Sequence, residues 1–371
     1  MQDQIISPAT IAGLGLALGA AFGAVAARSN FCTLGAISDI LNIGSWTRMR
    51  MWLLAIAIAI LGVWSLEGAG LVSTDRSLYS GSRLPWLSHI VGGLLFGMGM
   101  ALASGCTSKT LIRLGGGNLK SVLVFLAVGI SAYMTMKGLF GVWRVATIDR
   151  AVIDLGASQE LPSLIAYWAG LQGGSLERWL GAAIGLALAA FALASRDMWR
   201  EEPGAIVGGA LVGLIVVGGW YVTGHIGFVE EHPETLEAAY IATQSNRPES
   251  LSLVAPFAYT LELLMFWSDK SRTVTFGIAT ALGMIVGSLA WALATRNWRE
   301  EIFPDATDFK RHLLGGILMG AGGVTALGCT IGQGLSGIST LSLGSVITLA
   351  SIIAGCALTM KWDYWRMMRT A

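Results

Sequence analysis

The sequence predicts an all-α polytopic membrane protein of about nine transmembrane helices, with inverted internal repeats, broken helices and re-entrant segments. Three observations carry that expectation. The 371 residues are 54% hydrophobic and 13% charged, with 49 glycines, against roughly 25% charged in an average soluble domain. Apolar stretches of about 20 residues, the length that crosses a hydrocarbon core of roughly 30 Å, recur from one end of the chain to the other. One stretch of the sequence, finally, is found twice.

The apolar runs and their flanks place spans near 9–27, 51–70, 86–104, 119–140, 176–194, 203–222, 274–294, 310–327 and 342–360. Segments at about 31–41 and 252–268 are too short or too polar to cross and are expected to be re-entrant or interfacial. No stretch is left over for a soluble domain, so residues 1–371 are expected to form one transmembrane domain with pseudo-symmetric halves near 1–200 and 201–371. Asp3, and no basic residue, precedes the first apolar run. A cleavable signal peptide needs a basic start, so that run is expected to be retained.

Lys and Arg gather in short loops on the cytoplasmic side of membrane proteins. Arg48 and Arg50, Arg196 and Arg200, Arg296 and Arg299, and Lys361, Arg366 and Arg369 are therefore expected to face the cytoplasm. The acidic segment 223–250, with Glu230, Glu231, Glu234, Glu237 and Glu249 against Arg247, is expected outside, as a surface element. Nine crossings with a non-crossing 252–268 satisfy every assignment, with the N-terminus out and the C-terminus in.

The duplication shows when His89 is laid on His312, an offset of 223 residues. Over 89–107, ten of nineteen positions are then identical: His89, Gly92, Gly93, Leu95, Gly97, Gly99, Ala103, Gly105, Cys106 and Thr107. After one inserted residue, Thr135-Met136-Lys137 matches Thr359-Met360-Lys361. The copies run in opposite directions through the membrane. Inverted repeats place a transport site near the midplane, where helices break. Ser104-Gly105-Cys106-Thr107-Ser108 and Leu327-Gly328-Cys329-Thr330-Ile331 are such breaking points.

Three of the four cysteines share a setting: Asn30-Phe31-Cys32-Thr33, Gly105-Cys106-Thr107 and Gly328-Cys329-Thr330. Free cysteine often serves simply as a small buried hydrophobe, and Cys356, in an ordinary apolar run, reads that way. The duplicated Gly-Cys-Thr at a helix break favours a different role for Cys106 and Cys329. An apolar site penalises the thiolate, so neutral S–H groups are expected. These are weak, polarisable donors, suited to a soft sulfur atom on an anion. The harder oxygens of such an anion would meet the hydroxyls of Thr33, Thr107, Ser108 and Thr330 and backbone N–H groups. Its charge would be met by helix N-termini beginning at Thr107 and Thr330, with Arg28, Lys109 and Arg113 nearby. The bland alternative for those cations is snorkelling to an interface.

These motifs resemble the YeeE/YedE family of membrane proteins, the thiosulfate transporters. The resemblance rests on Ser29-Asn30-Phe31-Cys32-Thr33-Leu34-Gly35-Ala36, on Gly93 to Thr107, and on Leu327-Gly328-Cys329-Thr330-Ile331-Gly332-Gln333-Gly334. It implies an inner-membrane importer that hands thiosulfate along Cys32, Cys106 and Cys329 by S–H···S contacts, with Asn30 and Gln333 carried in the same motifs. It also implies a small TusA-like sulfur carrier as cytoplasmic partner. Some relatives are linked to other sulfur or selenium species. Cys356 and the long acidic segment depart from the bare pattern.

Other functions fit less well. A membrane thiol-disulfide oxidoreductase would want a CxxC pair, which the sequence lacks, although Cys106 and Cys329 could meet in space. A channel for a neutral solute would need no cysteines. The near-balanced charge, 24 basic against 23 acidic residues, points to no nucleic-acid partner, and the cysteine spacing suggests no metal site. The expectation is a transporter embedded in lipid, without cofactor and without enzymatic activity.

Overall fold

Each of the nine stretches expected to cross forms a helix in the computed structural model, which describes residues 7–170, 174–200, 202–231, 236–269 and 272–370. Asp3 and Glu234 lie outside the described residues. In chain order the helices are α1 (Pro8–Ser29), α2 (Thr33–Asn42), α3 (Thr47–Gly68), α4 (Trp86–Leu102), α5 (Thr107–Gly115), α6 (Lys120–Lys137), α7 (Leu139–Ala146) and α8 (Leu161–Trp168). They continue with α9 (Gly174–Leu193), α10 (Arg196–Arg200), α11 (Pro203–Tyr221), α12 (Val254–Met265), α13 (Phe276–Ala294), α14 (Ala306–Thr325) and α15 (Leu343–Thr370). Two short antiparallel strand pairs, 83–84 with 153–154 and 228–229 with 239–240, are the described sheet structure.

Among the described residues, eight helical stretches are long and apolar enough to span a membrane. Helix α14 is as long, at 20 residues, but opens on Asp308, Lys310 and Arg311. The two segments expected not to cross are α2, of 10 residues, and α12, of 12 residues. Each is too short for the hydrocarbon core. The chain is an all-α polytopic membrane protein.

In lipid, helices associate through close backbone approach at small residues, which explains much of the glycine content. Gly15, Gly19 and Gly23 recur every four residues on α1 and lie against the backbone of Phe276, Thr280 and Met284 on α13. Gly283 and Gly287 of α13 return the contact to Leu16 and Ala20. Helix α4 is held on both flanks in this way: Gly93 and Gly97 meet α15, while Gly92 and Gly99 meet α14. A β-carbon at any of these crossings would drive the helices apart.

The packing pairs exchange between the two halves, α2, α3, α4 and α6 mapping to α12, α13, α14 and α15 at the sequence offset and α1 to α11 at a shorter one. Helix α1 lies along α13 as α11 lies along α3. Likewise α6 packs on α14 as α15 packs on α4, and α6 on α12 as α15 on α2. The self-related contacts are α1 with α11 and α4 with α14. Helices α7 to α10 and the 222–250 segment are additions around this frame. Arg48 and Arg50, the α10 turn and the 295–305 loop fall at the helix ends of one face, the basic face. The 138–170 and 222–250 segments fall on the other.

Candidate functional site

The same local device delivers three of the four cysteines. A helix ends in a left-handed residue, Asn30 (φ 50°), Ser104 (φ 56°) or Leu327 (φ 59°). The next residue's N–H returns to a carbonyl five residues back: Phe31 to Ala26 at 3.2 Å, Gly105 to Met100 at 3.0 Å and Gly328 to Gly323 at 2.8 Å. This is the Schellman closure of a helix C-terminus. The residue after that is the cysteine. Asn tolerates the left-handed region, whereas Ser and Leu enter it at a cost of about 1–2 kcal/mol, so the breaks at Ser104 and Leu327 are held by their surroundings.

Each cysteine then opens the next helical piece. Cys32 is the N-cap of α2 and Cys106 the N-cap of α5. The Cys32 sulfur accepts from the Gly35 N–H at 3.4 Å, and the Cys329 sulfur from the Gly332 N–H at 3.4 Å. Cys106 Sγ sits 3.1 Å from Ser108 Oγ. The expected helix N-terminus after Cys106 is present, but the one expected at Thr330 is a correction: the chain there forms a π-helical turn over Gly332–Gly337. Three glycines in six residues give a regular α-helix too little to gain.

Cys32 and Cys106 are close enough for each thiol to act on the other. The pair expected to meet is Cys106 with Cys329; the thiol that acts on Cys106 is instead Cys32, brought there by the re-entrant α2. The Lys109 ammonium acts on both sulfurs, and Arg113 Nη1 donates to the Ser104 carbonyl freed by the break, at 2.8 Å. Thr330 lies beside Cys106, linking the second break to the first. Two buried hydroxyl oxygens here lack a nitrogen or oxygen partner: Thr107 Oγ1 has no hydrogen bond, and Thr330 Oγ1 has only the Cys106 sulfur beside it. They are equivalent positions of the two repeats, and both residues are fully buried. A buried polar group left unpaired costs about 1–3 kcal/mol, so such groups call for an explanation.

Two cavities approach the cluster from opposite faces. One, of about 280 Å³, is lined by Tyr79, Arg144, Glu249, Ser252, Tyr259 and Gly328, and so reaches the residue before Cys329. Arg144 Nη1 donates to the Val324 carbonyl at 3.2 Å, and its Nε lies 3.1 Å from Asp149. Burial pushes the Glu249 carboxyl up to about 7, the Ser245 hydroxyl opposing that shift. The other cavity, of about 800 Å³, is lined by Arg28, Ser29, Asn30, Glu202 and Trp291 on the basic face. It ends two residues from Cys32. Arg28 stands over the Trp291 ring at 5.7 Å.

The remaining expected residues fall around this axis. Thr33 is buried at the first position of α2. Gln333 spans the second break, its Nε2 donating to the Ala326 carbonyl at 2.8 Å and its Oε1 accepting from Ser345 Oγ at 2.5 Å. Cys356 is buried in mid-helix with its sulfur 3.8 Å from Met360 Sδ, within electrostatic reach of Cys106 but on a helix without a break. The 223–250 segment stays at the surface at Glu230, Glu231 and Glu237. Its end does not, since Gln244, Ser245, Pro248, Glu249 and Ser250 line the cavity beside Gly328. Sequence reasoning missed Arg144 and this end of the segment, because both reach the cavity from outside the repeats.

The family model described as sulphur transport matches residues 28–358. The chain is 27% identical to the thiosulfate transporter TsuA of Escherichia coli over 373 aligned residues, 96% of each chain. It is 25% identical to that of Spirochaeta thermophila over 362, covering 95% of this chain and 98% of the relative. A probable transporter of Escherichia coli, YedE, matches at 27% over 101 residues, 27% of this chain and 23% of the relative. The match takes in all three break motifs and nearly the full frame of helices, and the chain belongs to the sulphur transport family, YeeE/YedE.

Proposed function

We propose that this protein imports thiosulfate, or a closely related small sulfur anion, across the bacterial inner membrane, handing it from Cys329 to Cys106 to Cys32. The observation that carries this reading is the pair of buried hydroxyls, Thr107 and Thr330, neither with a nitrogen or oxygen partner, set among three thiols between two opposed cavities. An anion with one soft sulfur and several oxygens completes that site. The thiols donate S–H to its terminal sulfur, and the threonine hydroxyls donate to its oxygens.

Charge decides whether such an anion can cross, since a divalent ion in hydrocarbon is prohibitively costly unless neutralised. Arg144 stands at the first cavity, and Lys109 and Arg113 beside the first break. The α5 N-terminus adds a partial positive charge at Cys106. Positive charge thus increases from Cys329 towards the Cys32 and Cys106 pair, which favours inward passage. The two copies of the fold, near 1–200 and 201–371, act as pseudo-symmetric halves around this centre. The terminal station opens on the basic face, where a small TusA-like carrier would receive the sulfur. No covalent chemistry is required, and the protein is read as a transporter and not an enzyme.

The test is growth: a strain unable to import sulfate or thiosulfate, expressing this protein, is expected to grow on thiosulfate as sole sulfur source. Growth restored only by another sulfur or selenium source would replace the substrate, and none at all, with the protein in the membrane, would remove the reading. Orientation is tested separately. A reporter after Arg200, Arg299 or Ala371 is expected to read cytoplasmic and one near Glu237 external. An external signal at Arg299 would overturn the proposed direction.

A further inference from the structure

A carboxyl pair lies on the same face as the first cavity but outside it. Glu67, at the end of α3, and Glu160, just before α8, meet across Thr74. The Thr74 hydroxyl contacts Glu67 Oε1 and also lies 3.2 Å from Glu160 Oε1. Ser80 Oγ lies 2.8 Å from the same Glu160 oxygen and 2.7 Å from the Thr74 carbonyl. Two hydroxyl protons therefore serve four acceptor contacts. A proton on Glu160 supplies a third donor, running from Glu160 to Ser80 while Ser80 donates to the Thr74 carbonyl and Thr74 to Glu67, so that only the 3.2 Å contact of Thr74 with Glu160 is left without a proton.

The surroundings favour keeping that proton. Burial, and then the charges of Glu67 and Asp75, push Glu160 up to about 8, against the opposing hydrogen bonds from Ser80 and Thr74. Asp75, Arg76, Glu177, Arg178 and Tyr240 are the other ionisable groups around the cavity of about 500 Å³ that both glutamates line. Solvent on this face can therefore exchange protons with the pair.

The pair is mechanically joined to the second break. Leu161 N–H donates to the Leu341 carbonyl at 3.0 Å, and Leu343 N–H to the Gln159 carbonyl at 2.9 Å. Gly344 N–H adds a bond to Gln159 Oε1 at 3.3 Å. This bridge grips the first residues of α15, whose Ser345 holds Gln333, which in turn holds the Ala326 carbonyl in the break before Cys329.

We propose that Glu67 and Glu160 share one proton across Thr74 and that this proton latches the second break, so that the pH on this face controls passage of the anion. The proposal rests on the transport reading given above. With the proton present the carboxyls are joined through hydroxyls. With both ionised they repel, and the strand carrying Gln159 and Glu160 loosens from α15. Because the proton is lost as pH rises, the latch holds below about pH 8 and opens above it.

The test reads the latch without any substrate. Hydrogen exchange of the Leu343 and Gly344 amides is followed in the purified protein from about pH 6 to about pH 9, corrected for intrinsic rates. Protection is expected to fall about tenfold across the transition. Glu160→Gln, permanently neutral, and Glu67→Gln, which leaves no second charge to repel Glu160, are each expected to keep these amides protected throughout. Uptake into vesicles is expected to follow external pH in the same pattern; thiosulfate keeps both charges over this range, and any thiol titration is common to wild type and variants. Equal pH dependence of exchange in wild type, Glu160→Gln and Glu67→Gln would overturn the latch while leaving the transport reading intact. A wild-type exchange transition that both variants abolish, in a protein that moves no sulfur anion, would do the reverse.

Discussion

Cys106→Ala and Cys329→Ala are each expected to abolish thiosulfate-dependent growth with the protein still inserted at normal levels. Each removes the sulfur donor at a break and leaves the anion short of a partner in a site that excludes water. A hydrogen bond to a charged group contributes about 1.5–3 kcal/mol, roughly one to two powers of ten in affinity at that station, and passage is only as fast as its slowest station. Cys32→Ala is expected to behave likewise. Cys356→Ala is expected to retain near wild-type uptake, because its sulfur bonds Met360 in mid-helix and the lost packing costs about 1 kcal/mol. Serine replacements separate donor from softness: partial uptake means a hydrogen bond suffices, complete loss means the sulfur itself is needed. The neighbouring thiols of Cys32 and Cys106 give a disulfide mechanism a concrete form. A Cys32 to Cys106 disulfide that forms and is reduced during each turnover, seen by mass spectrometry, would replace the relay of intact anions.

The helices and the breaks were legible because lipid imposes simple rules on sequence. A span needs about 20 apolar residues, and a break inside one needs residues that leave the helix and satisfy freed carbonyls. The duplicated Gly-Cys-Thr marked two such places, and Asn30-Phe31-Cys32 marked the third. The shared Schellman closure was less visible, since its left-handed residue is Asn, Ser or Leu and not glycine. Ser104 and Leu327 carry no propensity for that conformation. Tertiary contacts hold them there, Arg113 on the Ser104 carbonyl being one.

What sequence could not supply was partnership across long separations. The second helical start was expected at Thr330 because its repeat partner begins α5, yet Gly332, Gly334 and Gly337 turn it into a π-helical turn. Arg144 sits on the short helix α7 outside either repeat and meets Val324 from 180 residues away. Glu67 could have been noticed as an acid at the end of an apolar span, where ionisable residues are costly and usually functional. Its partner Glu160 lies in a loop that no periodicity marks.

Thr107→Val combined with Thr330→Val is expected to separate function from folding more sharply than any cysteine change. Both hydroxyls are buried without a nitrogen or oxygen partner, so each carries a desolvation cost of about 1–3 kcal/mol that a methyl of similar shape removes. The double variant should therefore be at least as resistant to thermal unfolding in detergent as the wild type. A bound anion reverses the sign, because each hydroxyl then donates to a charged oxygen, and losing both should weaken binding by about two powers of ten or more. Uptake should collapse while stability holds or rises. Thr107→Ser and Thr330→Ser keep the donors and should restore most of the uptake. A double valine variant that unfolds more readily would show instead that the hydroxyls hold the breaks together, and unimpaired uptake would show that the anion passes without touching them.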